Sequence, residues 1–247
     1  DDMENSKGGN QFVWIPVDNI ADYKRTAYAG DSLSRYSETL ADDEKTSVET
    51  NKGFYIGRYE AGDQESTNSK ELRVSGASIS NTITVKAGQA PYNYIKYTDA
   101  KKLAEGFSTK QKYSSVKSKL VSSYAWDTAI AFIQKTNSDY GSSSEEGNYR
   151  NTTFTYTGIA DTEKNKQTKA NGTSTLIPTG QTTAVNNIYD MGGNVYEWTT
   201  ESHSSTSYPY TLRGGGYRND FASSPAGYRV NSDYADGDIG FRCTLYL

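Results

Sequence analysis

The sequence is poor in the residues that most often carry chemistry. It has one cysteine, Cys243, in 247 residues. That excludes an internal disulfide framework and a cysteine-rich zinc site. It has one histidine, His203, which excludes a histidine metal triad. His203 lies in a Ser/Thr-rich stretch read as a loop, which argues against a Ser-His-Asp triad. No apolar run approaches the length needed to span a bilayer, and no signal-peptide pattern is read near Asp1-Asp2-Met3. No basic stretch stands out against a net charge of −4, so nucleic acid is not expected as a partner. Hydrophobic residues make up only 34% of the chain. Tyrosine offsets this with 21 residues, each pairing a large ring with a polar tip.

The chain length fits one domain or two small ones, and no linker divides it. Phe12 to Val17 reads as a strand ended by Pro16, and Gly53 to Glu60 reads as a second, alternating strand. Residues 18–50, 61–90 and 139–175 are polar and read as insertions; the second has a hairpin at Asn81 to Lys86. A helix is expected from Thr98, as N-cap, to about Gly106. Another is centred on residues 123–133, with Trp126, Ala129, Ile130 and Ile133 on one apolar face. From 187 onward, short strands alternate with glycine-rich turns. The reading is a single α+β domain over 1–247.

Three blocks follow in the last quarter: Asn187-Ile-Tyr-Asp-Met-Gly-Gly-Asn-Val-Tyr-Glu-Trp198, Leu212-Arg-Gly-Gly-Gly-Tyr217 and Ile239-Gly-Phe-Arg-Cys243. Their order and spacing resemble the formylglycine-generating, or sulfatase-modifying, family, whose fold is a variant of the C-type lectin fold. Weaker matches at 53–60, 94–106, 120–127 and 178–180 bring about two thirds of the chain into the resemblance. It implies scaffold roles: Gly192 and Gly193 in a tight turn, Asn194 bonding backbone there, Trp198 in the core, and Arg213 and Arg242 tying loops together. It also implies a calcium site on that turn, formed by the Asp190 and Glu197 side chains and the Gly193 and Val195 carbonyls, in keeping with oxygen ligands for a hard cation.

The family's copper chemistry needs a cysteine pair after the Arg-Gly-Gly block, and residues 216–229 contain none. The resemblance gives Cys243 a structural place. Related iron-dependent sulfoxide synthases hold iron on histidines that this chain lacks. The expectation is therefore a protein that is not an enzyme.

Residues 216–238 are instead rich in Tyr, Asn, Asp, Ser and Gly, the composition of adaptable recognition loops. This arrangement resembles the variable proteins of diversity-generating retroelements, including phage tail-tip receptor binders. It implies a ligand-binding region within 213–242. The candidate contacts are Gly216, Tyr217, Arg218, Asn219, Asp220, Phe221, Ser223, Ser224, Tyr228, Val230, Ser232, Asp233, Tyr234 and Asp236. The implied partner is a protein or glycan on a cell surface, and the implied location a phage virion or bacterial surface. No cofactor beyond a structural calcium is expected. The alternatives are an oxidative enzyme of the same family and a purely structural tail or surface domain. No Glu-Pro-Asn or Gln-Pro-Asp triplet of calcium-dependent sugar binding occurs. The sequons at Asn151 and Asn171 are read as chance.

Overall fold

The computed structural model describes residues 9–28, 31–159 and 166–247. Residues 29–30 and 160–165, within two of the expected insertions, and the Asp1-Asp2-Met3 start lie outside the described residues. The fold is α+β. Strand β1 (Phe12–Pro16) stops at its proline, as expected from the missing N–H. After β2 (Tyr36–Ser37) comes a helix that was not anticipated, α1 (Asp42–Asn51). Its only apolar residue is Val48, so no periodicity betrays it. Three acidic residues in its first turn favour its N-terminus, and Val48 and Glu44 are buried.

Strand β3 (Gly53–Gly57) pairs with β1. The 61–90 stretch is not merely a surface excursion. It holds β4 (Gly62–Asp63), α2 (Gln64–Ser69), β5 (Ile83–Thr84) and β6 (Ala90–Pro91), which starts at its end, and it buries Ala61, Ile83, Val85 and Ala90. Asp63 caps α2 and forms a buried pair with Arg73.

Helix α3 (Tyr97–Lys110) begins one residue before Thr98, with Lys96 at the cap position, and runs through Gly106. The apolar face of Ala100, Leu103, Ala104 and Phe107 continues past the glycine. Burying it outweighs the roughly 1 kcal/mol a mid-helix glycine costs. Strand β7 (Lys117–Leu120) leads to α4 (Ser123–Ile133), whose N-cap Ser122 accepts from the Ala125 N–H at 3.0 Å. The predicted face of Trp126, Ala129, Ile130 and Ile133 is wholly buried. The 139–175 stretch carries the hairpin of β8 (Phe154–Tyr156) and β9 (Gln167–Lys169), and it buries Tyr140 and Tyr149.

The tail supplies β10 (Tyr196–His203), β11 (Tyr210–Arg213), β12 (Arg229–Ser232), β13 (Ile239–Phe241) and β14 (Cys243–Tyr246). His203 thus ends a strand rather than sitting in a loop, 5.0 Å from the Tyr36 ring. One antiparallel sheet has the order β1-β3-β14-β7. A second has the order β12-β11-β10-β13, with β2 also on β10 and only β13 parallel to it. The first core gathers Phe54, Ile56, Tyr246 and the α4 face. The second gathers Trp198, Phe241, Tyr92 and the α3 face.

Between β2 and α4, Glu38 accepts the Ser123 N–H at 2.8 Å and the Thr200 hydroxyl. Burial, reinforced by Glu44 and Glu201, pushes its carboxyl up to about 8. The folded state therefore keeps a proton that the unfolded chain releases near pH ~4.3. This contribution is complete at low pH and fades as pH rises toward 8. Glu38→Gln is expected to flatten the fall of the urea midpoint between pH 5 and 8.

Candidate recognition surface

The surface is built on a frame of three buried arginines. Arg213, at the end of β11, pairs with Asp127 of α4 and donates to the Tyr228 carbonyl at 3.1 Å, the Gly227 carbonyl at 3.1 Å and the Ser123 hydroxyl at 3.2 Å. It therefore closes the base of the 214–228 loop. Arg229, opposite it on β12, pairs with Asp127 and with Glu201 at 3.0 Å, and donates to the Thr26 carbonyl at 2.9 Å. Arg242 meets both Glu197 oxygens, at 3.0 and 2.7 Å, and donates to the Gly57 and Tyr189 carbonyls at 2.7 and 2.8 Å. Multiple donors in a rigid fork let one side chain hold several segments at once. Trp126 adds a bond from its indole N–H to the Ala226 carbonyl at 2.9 Å, seating the same loop on α4.

The turn from Asp190 to Val195 joins this frame to the 139–175 stretch. Gly193 has φ +74°, Asp190 +58° and Asn194 +55°. The Gly193 N–H donates to the Gly214 carbonyl and the Asn194 N–H to the Asn148 carbonyl, at 2.8 and 2.9 Å. The Asn194 side chain binds both backbone groups of Ile177, rather than its own turn, and donates to Glu60. Burial and the nearby Asp190 and Glu197 push the Glu60 carboxyl far up.

The carboxylates expected to hold calcium are already engaged. Asp190 accepts from the Gly180 N–H at 2.6 Å and the Thr182 hydroxyl at 2.7 Å, and Glu197 is taken at both oxygens by Arg242. Among the described residues, no group of three or more His, Cys, Asp or Glu side chains is placed to hold a metal. The donor set of Asp190, Gly193, Val195 and Glu197 does not fit a calcium ion in this arrangement.

The residues expected on the surface divide into two kinds. Arg218, Ser223, Asp233, Tyr234 and Asp236 are exposed, and Tyr217, Asn219, Asp220, Phe221 and Tyr228 are partly so. Gly216, Ser224 and Ser232 are buried and serve as scaffold. The Gly216 N–H is tied to Asn219 at 3.1 Å, Ser224 lies 3.4 Å from the Tyr196 hydroxyl, and Ser232 accepts the Tyr234 N–H at 3.1 Å. Val230 is half-buried against the second core.

Exposed members bond mainly to one another. Tyr234 donates to the Tyr208 hydroxyl at 2.8 Å, Arg218 pairs with Asp236 at 3.2 Å, and Arg150 binds Asp220 through two bonds of 3.0 and 2.7 Å. Such pairs at the surface are screened by water, add little to stability and exchange readily for a ligand's groups. Arg150 and Tyr208 were missed in the sequence because they lie outside 216–238. Tyr94, whose N–H donates to the Asp236 carbonyl at 2.9 Å, was missed for the same reason. Cys243 is fully buried in β14, and burial pushes its thiol up, so no reactive sulfur reaches this surface.

The model of the sulfatase-modifying factor enzyme 1-like domain matches residues 19–246. The chain belongs to this family. Among solved structures, that of CarF is similar over 96% of this chain and 99% of its own, at 15% identity and a TM-score of 0.51. PvdO from Pseudomonas aeruginosa matches over 79% of this chain and 81% of its own, at 19% identity and a TM-score of 0.46. Treponema denticola variable protein 1 matches over 79% and 85%, at 15% identity and a TM-score of 0.46. No protein with a curated description matches. At such identities the CarF likeness speaks for the fold alone, the formylglycine-generating variant of the C-type lectin fold.

Proposed function

We propose that this family member is a recognition protein without catalytic activity, presenting the 217–236 face to a protein or glycan on a cell surface, as a component of a phage virion or bacterial surface. The observation that carries the reading is the division of labour just described. Arg213, Arg229 and Arg242 have their charges met inside the fold, while the exposed side chains of Arg218, Tyr208, Tyr234 and Asp236 engage chiefly one another, with Asp238 and the Tyr217 ring beside Arg218. A rigid frame lowers the ordering cost of binding, and exposed tyrosines supply contact area with few torsions to freeze.

The test is a triple variant, Arg218→Ala, Tyr208→Ala, Tyr234→Ala. Its urea midpoint is expected to stay within the range of ordinary surface changes, about 0.5 kcal/mol per site. Fluorescently labelled wild type is expected to stain members of a bacterial cell panel in flow cytometry, and the variant to stain none. Unfolding of the variant, or staining that survives it, overturns the reading. Staining of no cell by the wild type favours a purely structural domain.

The family name keeps an enzyme reading in view. It is met by incubating the protein with copper and a cysteine-bearing peptide under air. Unchanged peptide mass is the expected outcome, because the segment after Arg213 offers no thiol and Cys243 is enclosed. On the same reading the 190–197 turn needs no calcium, since Arg242 supplies its positive charge. Calcium titration is expected to give neither heat in calorimetry nor a melting shift.

A further inference from the structure

A second site lies on the first sheet, formed from elements outside the 217–236 face. β1 is an edge strand, and residues 10–14 line a groove of about 800 Å³ with Tyr55, Arg58, Tyr113, Phe132 and the Asn186-Asn187 turn. Its volume is within the range of ligand pockets, roughly 300–1,000 Å³. The wall is aromatic: Trp14 and Tyr55 pack edge to face at 4.9 Å, and Tyr113 is exposed beside them. The rim is amide, from Asn10, Gln11 and Asn187.

Among the described residues, Arg58 is the one charged side chain in the lining, and no carboxylate lines it. Its guanidinium lies over the Tyr59 and Tyr189 rings, at 5.7 and 5.5 Å, and donates through Nη1 to Gln11 at 3.0 Å. Its Nε is buried with no hydrogen-bond partner, and Arg58 enters no ion pair among the described residues. Arg58 is therefore a cation with no counter-ion in the described lining, and an anionic group on a ligand would complement it. An apolar peptide or a second copy's hydrophobic face would cover the rings and leave the Arg58 charge without a counter-ion. A sugar acid meets both needs. Its pyranose face is C–H-lined and packs on aromatic rings, its hydroxyls suit the amide rim, and its carboxylate matches the guanidinium fork.

We infer that this groove binds a carboxylate-bearing saccharide, with its ring stacked on Trp14 and Tyr55 and its carboxylate held by Arg58. The site is separate from the proposed recognition face and does not depend on it.

Tryptophan fluorescence reads the groove selectively. Trp126 and Trp198 are fully buried, with indole N–H groups bonded to the Ala226 and Ile95 carbonyls, each at 2.9 Å. Trp14 is thus the tryptophan that acrylamide reaches. The probes are trigalacturonate against its methyl ester, and sialyllactose against lactose. At least one acid is expected to protect Trp14 from quenching and to bind at least tenfold more tightly than its neutral partner. Arg58→Gln is expected to abolish that preference, Arg58→Lys to keep part of it, and Trp14→Phe to remove the signal, each with a melting curve recorded to establish folding. The Arg218/Tyr208/Tyr234 triple variant is expected to bind the acid as the wild type does, which separates this result from the fate of the recognition face. Three outcomes overturn the inference: no protection by either acid, an acid preference that survives in folded Arg58→Gln, and concentration-dependent self-association that hides Trp14 without sugar.

Discussion

Asp127→Ala is expected to destabilise the protein by about 3–5 kcal/mol, the cost of stranding buried charge. Among the described residues, Asp127 is the sole carboxylate paired with Arg213 and one of three paired with Arg229, and it also accepts the Thr26 N–H at 2.8 Å. Without it, Arg213 is left among hydroxyl and carbonyl partners, with its side chain fully buried and only the more distant Glu201 carboxylate as counter-charge. For a chain of this size the melting temperature should fall by roughly 6–20 °C. Binding by the 217–236 face should fall with it, because Arg213 holds the base of that loop through Gly227 and Tyr228. Asp127→Asn keeps the shape and one acceptor, and should cost less. Urea denaturation of both variants checks the order, and a loss under 1 kcal/mol for the alanine would show that the arginine frame is not what holds the loop.

The second large effect is expected at Gly193. Its φ of +74° disfavours any side chain, and a Cβ there would stand 2.6 Å from the Asn148 carbonyl oxygen and 2.8 Å from its nitrogen. Both obstacles are backbone, so neither can swing away. Gly193→Ala should cost roughly 2–4 kcal/mol, the strain of the dihedral joined to a forced shift of the 139–175 stretch. Gly106 is the control. It lies mid-helix with nothing within 4 Å of a built Cβ, so Gly106→Ala should stabilise by about 0.5–1 kcal/mol. The same substitution is thus predicted to have opposite signs at two glycines, and paired denaturation curves decide it.

Much of the frame was legible because its causes are local or compositional. The α4 face followed from helical spacing, the stop of β1 from Pro16, and the roles of Arg213, Arg242 and Trp198 from a resemblance that the family match bears out. Helix α1 was not legible, since one valine gives no period and its acidic first turn also suits a solvated loop. The end of α3 was misplaced because glycine is a local stop signal, whereas Phe107 and the second core extend the helix beyond it.

The candidate surface divides in the same way. Composition marked 216–238 as polar and tyrosine-bearing, yet composition is blind to which side of a strand a residue occupies. Ser232 and Ser224 read as contacts and prove to be buried ties, while Tyr208, Tyr94 and Arg150 come from distant segments.

The sequence by itself determined the fold class, the family frame and the absence of thiols from residues 216–229, because glycine turns, arginine positions and cysteine counts are written residue by residue. Tertiary structure alone decided that Glu197 is held by Arg242, that Asp127 serves two arginines, and that Trp14 and Arg58 share a groove. Each of these depends on which charges and rings meet across long sequence separations, and that is set by the packing of the sheets and helices as a whole.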